Sequence, residues 1–572
     1  MALSPFSAQN PPTAQNFVTR GLLPANLPSV VTSRELAAPY SAEGDRYLVT
    51  QGRSGKLATY DATKRGEQRR HFEIPHPLFV RDAGLFYQKH WPEIWQHINR
   101  SVGSASKPMQ PKSLYRAITM ASQTKVNDLK IRELAAKRYC LVTDISRCYP
   151  TIYTHTIPWA LHGKDVAKID RSERSAQIWG NRLDFIHRQA QDGQTIGIPV
   201  GPDISRITAE IILSAIDQEY LQNGRRKTKY VRHVDDYWIG GDSIDDCEKK
   251  LNDLRAGLNF YQLDINESKT RIVELSEVTG QYWPDDLAKQ IESTFRQENA
   301  WGGLKRIAQT DAHDLFSRAI NIVRTTHDTA ILKFLIRKMD KSRVWKTNWK
   351  LVEPYLAHIA VQFPHVFDYV ARVLAWAVRQ QISVDRPLWR EVIGTVSKTS
   401  ADHGRDGELL WALWVYKELG FKVPQSLISK AILNNGPVPL SFAAHMATDG
   451  LITNRDFFNN LRERVSGSDQ YNGVDWPITL ELFHLQEANE IRRRHPLQGS
   501  HIQSPFASEC SMIRYNAYPE VFYEERENRD DFDIEDADFE FPDHAIEDFT
   551  SSYDDEDEDD EDDDDEEADL PF

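Results

Sequence analysis

The chain has 572 residues, room for two to four domains, and a hydrophobic content of 40% that supports a large core. It has no run near the roughly 18 apolar residues of a membrane span and no basic-then-apolar leader, so neither a membrane protein nor a secreted one is expected. The net charge of −16 is unevenly spread: Glu520–Phe572 holds 29 acidic and 2 basic residues, net −27, and the other 519 residues hold 67 basic and 56 acidic ones, net +11. A basic body suits the binding of phosphate backbones. Cys140, Cys148, Cys247 and Cys510 show neither metal-ligand nor disulfide-framework spacing, which points to a reduced, cytoplasmic setting.

In chain order, residues 1–30 are rich in Pro, Ala, Ser and Asn and read as an arm. A basic cluster runs from Arg65 to Arg70, and Phe79 to Ile98 reads as a helix with aromatic anchors at Phe86, Trp91 and Trp95. The apolar run Tyr139–Thr143 predicts a strand ending in Asp144. Gly197, Pro199 and Gly201 make a loop whose backbone can approach another surface closely, because glycine has no Cβ. Ile204, Ile207, Ile211, Ala215 and Ile216 then recur at helical spacing.

The stretch Tyr230–Gly241 has two β-rich runs around Asp235-Asp236 and predicts a hairpin with the carboxylates at its turn. An Asp pair in a turn is ordinary on a surface. Here apolar and aromatic flanks put it at the mouth of a packed sheet, where like charges raise each other's pKa and a divalent cation resolves the conflict. Asp144 at the end of a neighbouring strand supplies a third carboxylate. A two-metal phosphoryl-transfer site needs about three such groups around ions roughly 3.5–4 Å apart. Oxygen ligands favour Mg²⁺, with Mn²⁺ as a substitute.

Four segments, in order, resemble the reverse transcriptase family. Asp144-Ile-Ser-Arg-Cys-Tyr149 is similar to its first palm motif, and His233-Val-Asp-Asp236 to its two-aspartate motif. Gln194–Ser205 resembles the Gly-Pro template-grip loop with its helix, and Leu263–Thr270 the lysine motif that follows. The resemblance covers roughly residues 70–285. A finer likeness is to bacterial reverse transcriptases of the abortive-infection and antiphage groups, carried by Ile152–Lys164, Trp179–Asp184 and His403–Glu408. One departure is His233-Val234, where many relatives carry Tyr or Phe and a small residue.

The resemblance implies an α+β fold: right-hand fingers and palm, then an all-α, HEAT-like helical domain and a disordered acidic tail. The divisions expected are 1–64 for the arm and start of the fingers, 65–290 for fingers and palm, 291–515 for the helical domain and 516–572 for the tail. It implies catalytic Asp144, Asp235 and Asp236, with Ile145 joining them in the metal-binding set. Tyr149 is implied to pack under the sugar of the incoming nucleotide and exclude a 2′-hydroxyl. Arg116 first, then Lys112 and Arg132, are implied as contacts to the triphosphate. Gln194 is implied at template or nucleotide, and Lys269 at the pyrophosphate. Gly197, Pro199, Gly201 and His233 are implied to grip template and primer.

The implied function is RNA-directed DNA polymerisation by two-metal nucleotidyl transfer in phage defence, with dNTPs, an RNA template or non-coding RNA and a DNA product as partners. Template-independent, protein-primed synthesis and a non-catalytic RNA-binding scaffold remain open, as does a homo-oligomer. The tail, with Phe532, Phe539, Phe541 and Phe549 spaced before its acidic run, reads as a strip that competes with non-specific RNA for the basic body, or as a solubilising appendage.

Overall fold

The computed structural model describes residues 6–64, 68–111, 116–223, 228–279, 287, 289, 307–341, 344–467 and 469–517. Lys112 and the tail from residue 518 onward lie outside these. No helix among the described residues is long and apolar enough to cross a membrane.

The palm is a four-stranded antiparallel sheet in the order β4-β5-β3-β6, made of Tyr230–His233, Asp236–Gly241, Tyr139–Asp144 and Arg271–Glu274 respectively. Successive side chains on a strand face opposite ways. Tyr230, Leu141, Tyr237 and Ile239 therefore enter the main core, and Cys140, Val142, Val231 and Trp238 a smaller cluster with Val126 and Leu134. Those last two lie on helix α3 (Gln123–Leu134), which covers the second face. Of the four, β3 and β5, central in the sheet and covered on both faces, carry the near-continuous apolar runs.

Further helices precede and follow the central strands. Helix α1 spans Ala14–Thr19 and α2 spans Pro77–Asn99, kinked at His90 just before Pro92. Phe86 and Trp91 of α2 are fully buried and Trp95 partly so. Short helices α4 (Cys148–Thr151), α5 (Thr156–His162) and α6 (Lys164–Ala167) lead to α7 (Gly180–Ala190). Helix α8 (Asp203–Ile216) runs under the palm with every one of its 14 residues buried. It is followed by α9 (Ile244–Phe260) and α10 (Leu275–Thr279).

The fingers contribute a hairpin, β1 (Ala58–Thr63) with β2 (Arg69–Ile74). It is bound to the loop Gly197–Gly201, because Glu73 N–H donates to the Val200 carbonyl at 3.0 Å. Beyond residue 307 the described chain is helical. Helix Arg386–His403 packs on Asp406–Glu418 and on Gln425–Asn434, and Pro437–Thr448 packs on Asp406–Glu418 and on Trp476–His484.

This helical region sits directly on the fingers. Helices Asp406–Glu418 and Pro437–Thr448 both pack on β1. Gly407 has room only for hydrogen, since a Cβ there would lie 3.0 Å from the Asp61 carbonyl oxygen. Beside it Glu408 accepts from Arg69 Nη1 at 2.8 Å, and Arg69 also pairs with Asp61 at 2.5 Å. The segment His403–Glu408 is thus a clasp on the fingers hairpin. Removing Glu408 leaves the half-buried Arg69 with Asp61 as its remaining carboxylate. Glu408→Ala is expected to destabilise the protein by about 2 kcal/mol in urea unfolding, and Glu408→Asp by less.

Candidate active site

The two-residue turn between β4 and β5 is Val234-Asp235, flanked by the pair His233 and Asp236. Asp144 stands directly across from Asp236 in the β3–β5 register. Ile145 N–H donates to the Asp235 carbonyl at 3.1 Å, closing the turn onto the end of β3. The sheet thereby brings Asp144, Ile145, Asp235 and Asp236 to one place. By strand alternation Asp144, Asp236 and His233 share the face of Val142, Trp238 and Val231.

Among the described residues no three His, Cys, Asp or Glu side chains are already gathered around one point as a formed metal cluster. Asp144 and Asp235 are nonetheless close enough to interact electrostatically. Burial, and then the Asp144 charge, push the Asp235 carboxyl up to about 6. Oδ1 of Asp144 and Oδ1 of Asp235 are both enclosed without a hydrogen-bond partner. Other buried carboxylates of the palm are fully engaged. Glu210 takes Ser104, Ser214 and both Nη atoms of Arg232, and Asp217 takes Ser101, Tyr237 and Arg232 Nε. Enclosed acceptors left open beside a second carboxylate suit a divalent cation.

Cations border the site. Lys269 Nζ lies 2.8 Å from Asp144 Oδ2. Arg70, half-buried on β2, is within electrostatic reach of Asp235, as is Lys269. Arg70 was not singled out in the sequence, because a run of basic residues shows no inward phase until the strand is known. His233 is half-buried, and burial followed by Lys130, Arg206 and Arg232 holds its ring down at about 4, so it is neutral at pH 7.

The loop Gly197–Gly201 is wired to the Tyr149 segment by backbone. Gly197 N–H donates to the Ile152 carbonyl at 2.8 Å and Ile198 N–H to the Tyr149 carbonyl at 3.0 Å. Gly197 and Gly201 have φ of 90° and 118°, a region that favours glycine. Pro199 is buried and Tyr149 half-buried. Gln194 stands exposed on the turn after α7, where its carbonyl accepts from Gln191 Nε2.

Two expected triphosphate contacts are placed elsewhere. Arg116 is 2% exposed, forms an ion pair with Asp203, and donates to the carbonyls of Leu23 at 2.7 Å and Gly201 at 3.1 Å. It braces the loop at Gly201 from within and presents no fork to a phosphate. Arg132 is on the exposed side of α3, paired with Asp128 one turn away.

A family model described as reverse transcriptase (RNA-dependent DNA polymerase) matches residues 94–298. No curated protein matches the chain. Among solved structures, a C-terminally truncated apo telomerase from Candida tropicalis is similar at 16% identity and TM-score 0.26, over 40% of this chain and 51% of that one. The telomerase of Candida albicans with a fragment of telomeric RNA is similar at 13% identity and TM-score 0.27, over 66% and 70%. Apo telomerase from Candida tropicalis gives 12% identity and TM-score 0.27 over 67% and 70%. The chain thus spans about half of the first of these and 70% of the others. Such weak superpositions fix neither shape nor function. Residues 94–298 are thus similar to a reverse transcriptase domain, a class whose activity is RNA-directed DNA polymerisation, a nucleotidyl transfer.

Proposed function

We propose that the chain copies RNA into DNA by two-metal nucleotidyl transfer and serves phage defence. The observation that carries the first part is the meeting of Asp144 with Asp235-Asp236 at the sheet end, with two enclosed carboxylate oxygens open. Reverse transcriptase domains use divalent ions. Here Asp144, Asp235 and Asp236, with Ile145 alongside, would hold Mg²⁺ or Mn²⁺. Bound, such ions supply charge neutralisation at the priming hydroxyl and at the leaving pyrophosphate.

The chain's own residues then position the reactants. Lys269 is near enough to Asp144 to meet the pyrophosphate, and Arg70 takes the triphosphate role first expected of Arg116. Tyr149 lies under the sugar and excludes a 2′-hydroxyl. The loop Gly197–Gly201 grips the template strand, with Gln194 at its approach and His233 toward the primer. The helical region is a HEAT-like scaffold on the fingers. The defence role rests on the resemblance of Ile152–Lys164, Trp179–Asp184 and His403–Glu408 to antiphage enzymes.

Primer extension on an RNA template tests the reading, with products sequenced from reactions with and without RNA. DNA made equally well without RNA would replace templated synthesis by the template-independent alternative. Asp235→Asn or Asp236→Asn should cut incorporation by roughly two orders of magnitude or more. Wild-type rates in either variant would remove the carboxylates from the mechanism.

Without metal the sign of the stability effect reverses. The Asp235 carboxyl titrates near 6 in the fold and lower when unfolded, so protonation favours the fold. Stability attributable to this group is present below its unfolded pKa and is lost as pH rises through about 6. In EDTA, Asp235→Asn should melt no lower than wild type at pH 7.5, and the difference should shrink toward pH 5. A distinctly lower melting temperature at pH 7.5 would contradict the burial argument.

Tyr149→Ala should raise the rNTP-to-dNTP incorporation ratio at least about tenfold. An unchanged ratio would leave this ring a packing residue.

A further inference from the structure

The palm sheet ends at β4, an edge strand whose open backbone groups need covering. The segment Ser101–Ser106 covers it. Arg232 N–H donates to the Gly103 carbonyl and Ala105 N–H to the Arg232 carbonyl, each at 2.8 Å. Gly103 must be glycine for this approach, since a Cβ there would lie 2.4 Å from the Tyr230 carbonyl oxygen.

Its three serines each reach a different group. Ser101 Oγ donates to Asp217 Oδ2 and Ser104 Oγ to Glu210 Oε1, both at 2.6 Å. Ser106 Oγ accepts the N–H of Val234 at 2.5 Å. Val234 has φ 54°, a backbone region that a β-branched residue adopts only under constraint. The other side of the same residue is held too, because Arg232 Nη1 donates to the Val234 carbonyl at 3.3 Å. Val234 is therefore pinned at both its amide and its carbonyl, and the next residue is Asp235.

We propose that Ser101–Ser106 is a positioning strap for the catalytic turn, and that the Ser106 hydroxyl, opposite Arg232, sets where Asp235 presents its carboxylate. This rests on the reading of Asp235 as a metal ligand. Ser106 touches neither substrate nor metal. It acts by holding Val234 in a conformation the valine would otherwise leave, and so fixes the direction in which the chain enters Asp235.

The test uses the full chain with Mn²⁺ as the probe. Mn²⁺ binding is followed by electron paramagnetic resonance, with Asp235→Asn as the blank. The Mg²⁺ concentration for half-maximal primer extension and the melting temperature are measured alongside. Ser106→Ala, nearly the same size, is expected to weaken Mn²⁺ binding and raise the half-maximal Mg²⁺ concentration by about tenfold, the scale of losing a group that orients a ligand. Ser106→Thr, which keeps the hydroxyl, should stay within about twofold of wild type. Adding Val234→Gly to Ser106→Ala should recover part of the loss, because glycine takes a positive φ without constraint.

Wild-type Mn²⁺ binding in Ser106→Ala overturns the proposal. So does a loss equal in Ser106→Ala and Ser106→Thr, or a lowered melting temperature with unchanged metal dependence. Wild-type protein that binds Mn²⁺ at Asp235 yet incorporates no nucleotide would sink the polymerase reading alone, and the Mn²⁺ comparison would still decide the strap.

Discussion

A single buried guanidinium holds the palm together. Arg232 on β4 is fully enclosed and is shared between Glu210 and Asp217, both carried on the helical run under the sheet. Taking three charges out of water costs several kcal/mol per ion unless geometry and added hydrogen bonds offset it. Here they do so unequally. Glu210 receives two parallel Nη bonds and two serine hydroxyls, and its pKa is lowered although burial acts the other way. Asp217 receives only Nε with Ser101 and Tyr237, and burial wins, raising it. One guanidinium thereby locks β4, the helical run beneath it and the Ser101–Ser106 segment into one geometry. At one end of that geometry is the half-buried turn carrying Asp235.

The second constraint ties fingers to the helical region. Arg69, Asp61, Thr63 and Glu408 form one polar cluster, and Gly407 and Gly436 let two helices lie against the β1 backbone. The arm joins from the other side. Trp411 Nε1 donates to the Asn26 carbonyl at 3.2 Å, and Asp203 N–H donates to the Gly21 carbonyl at 2.8 Å. Arm, hairpin, Gly197–Gly201 loop and helical region thus share continuous contacts. A swing of the hairpin away from the helices would break the Glu408 pair and open a packed face, so the helical region holds the hairpin, and with it the Val200 contact, in place.

How much of this was legible depended on sequence distance. Asp144, Asp235 and Asp236 stood out because apolar strands announce themselves by local period and the aspartates interrupt them. Helix α8 was visible for the same reason. The charged residues that support the site were not. Arg232 sits 22 residues from Glu210 and 15 from Asp217, and Arg116 sits 87 from Asp203. A lone arginine looks solvent-facing until its partner is known, which is why Arg116 read as a phosphate ligand. Arg70 was passed over for the opposite reason: three arginines within the six residues Arg65–Arg70 offered no way to tell which one turns inward. Glu408, 339 residues from Arg69, belonged to a recognisable motif whose purpose only the packing explains.

The Val234 turn shows why local preference and function part company. A two-residue hairpin turn favours glycine or asparagine where φ is positive, and glycine at Val234 would relieve the constraint. It would also loosen the joint, since glycine has the most backbone freedom to lose. Valine is stiff, and its strained conformation is kept only because Ser106 and Arg232 hold both its polar groups. The cost is met by the buried cluster beneath, which has no open acceptor on Glu210 or Asp217, while the carboxylates above it keep theirs. Saturated polar groups below, with Asp144 Oδ1 and Asp235 Oδ1 unpartnered above, is the polarity expected of a scaffold that commits its hydrogen bonds to position.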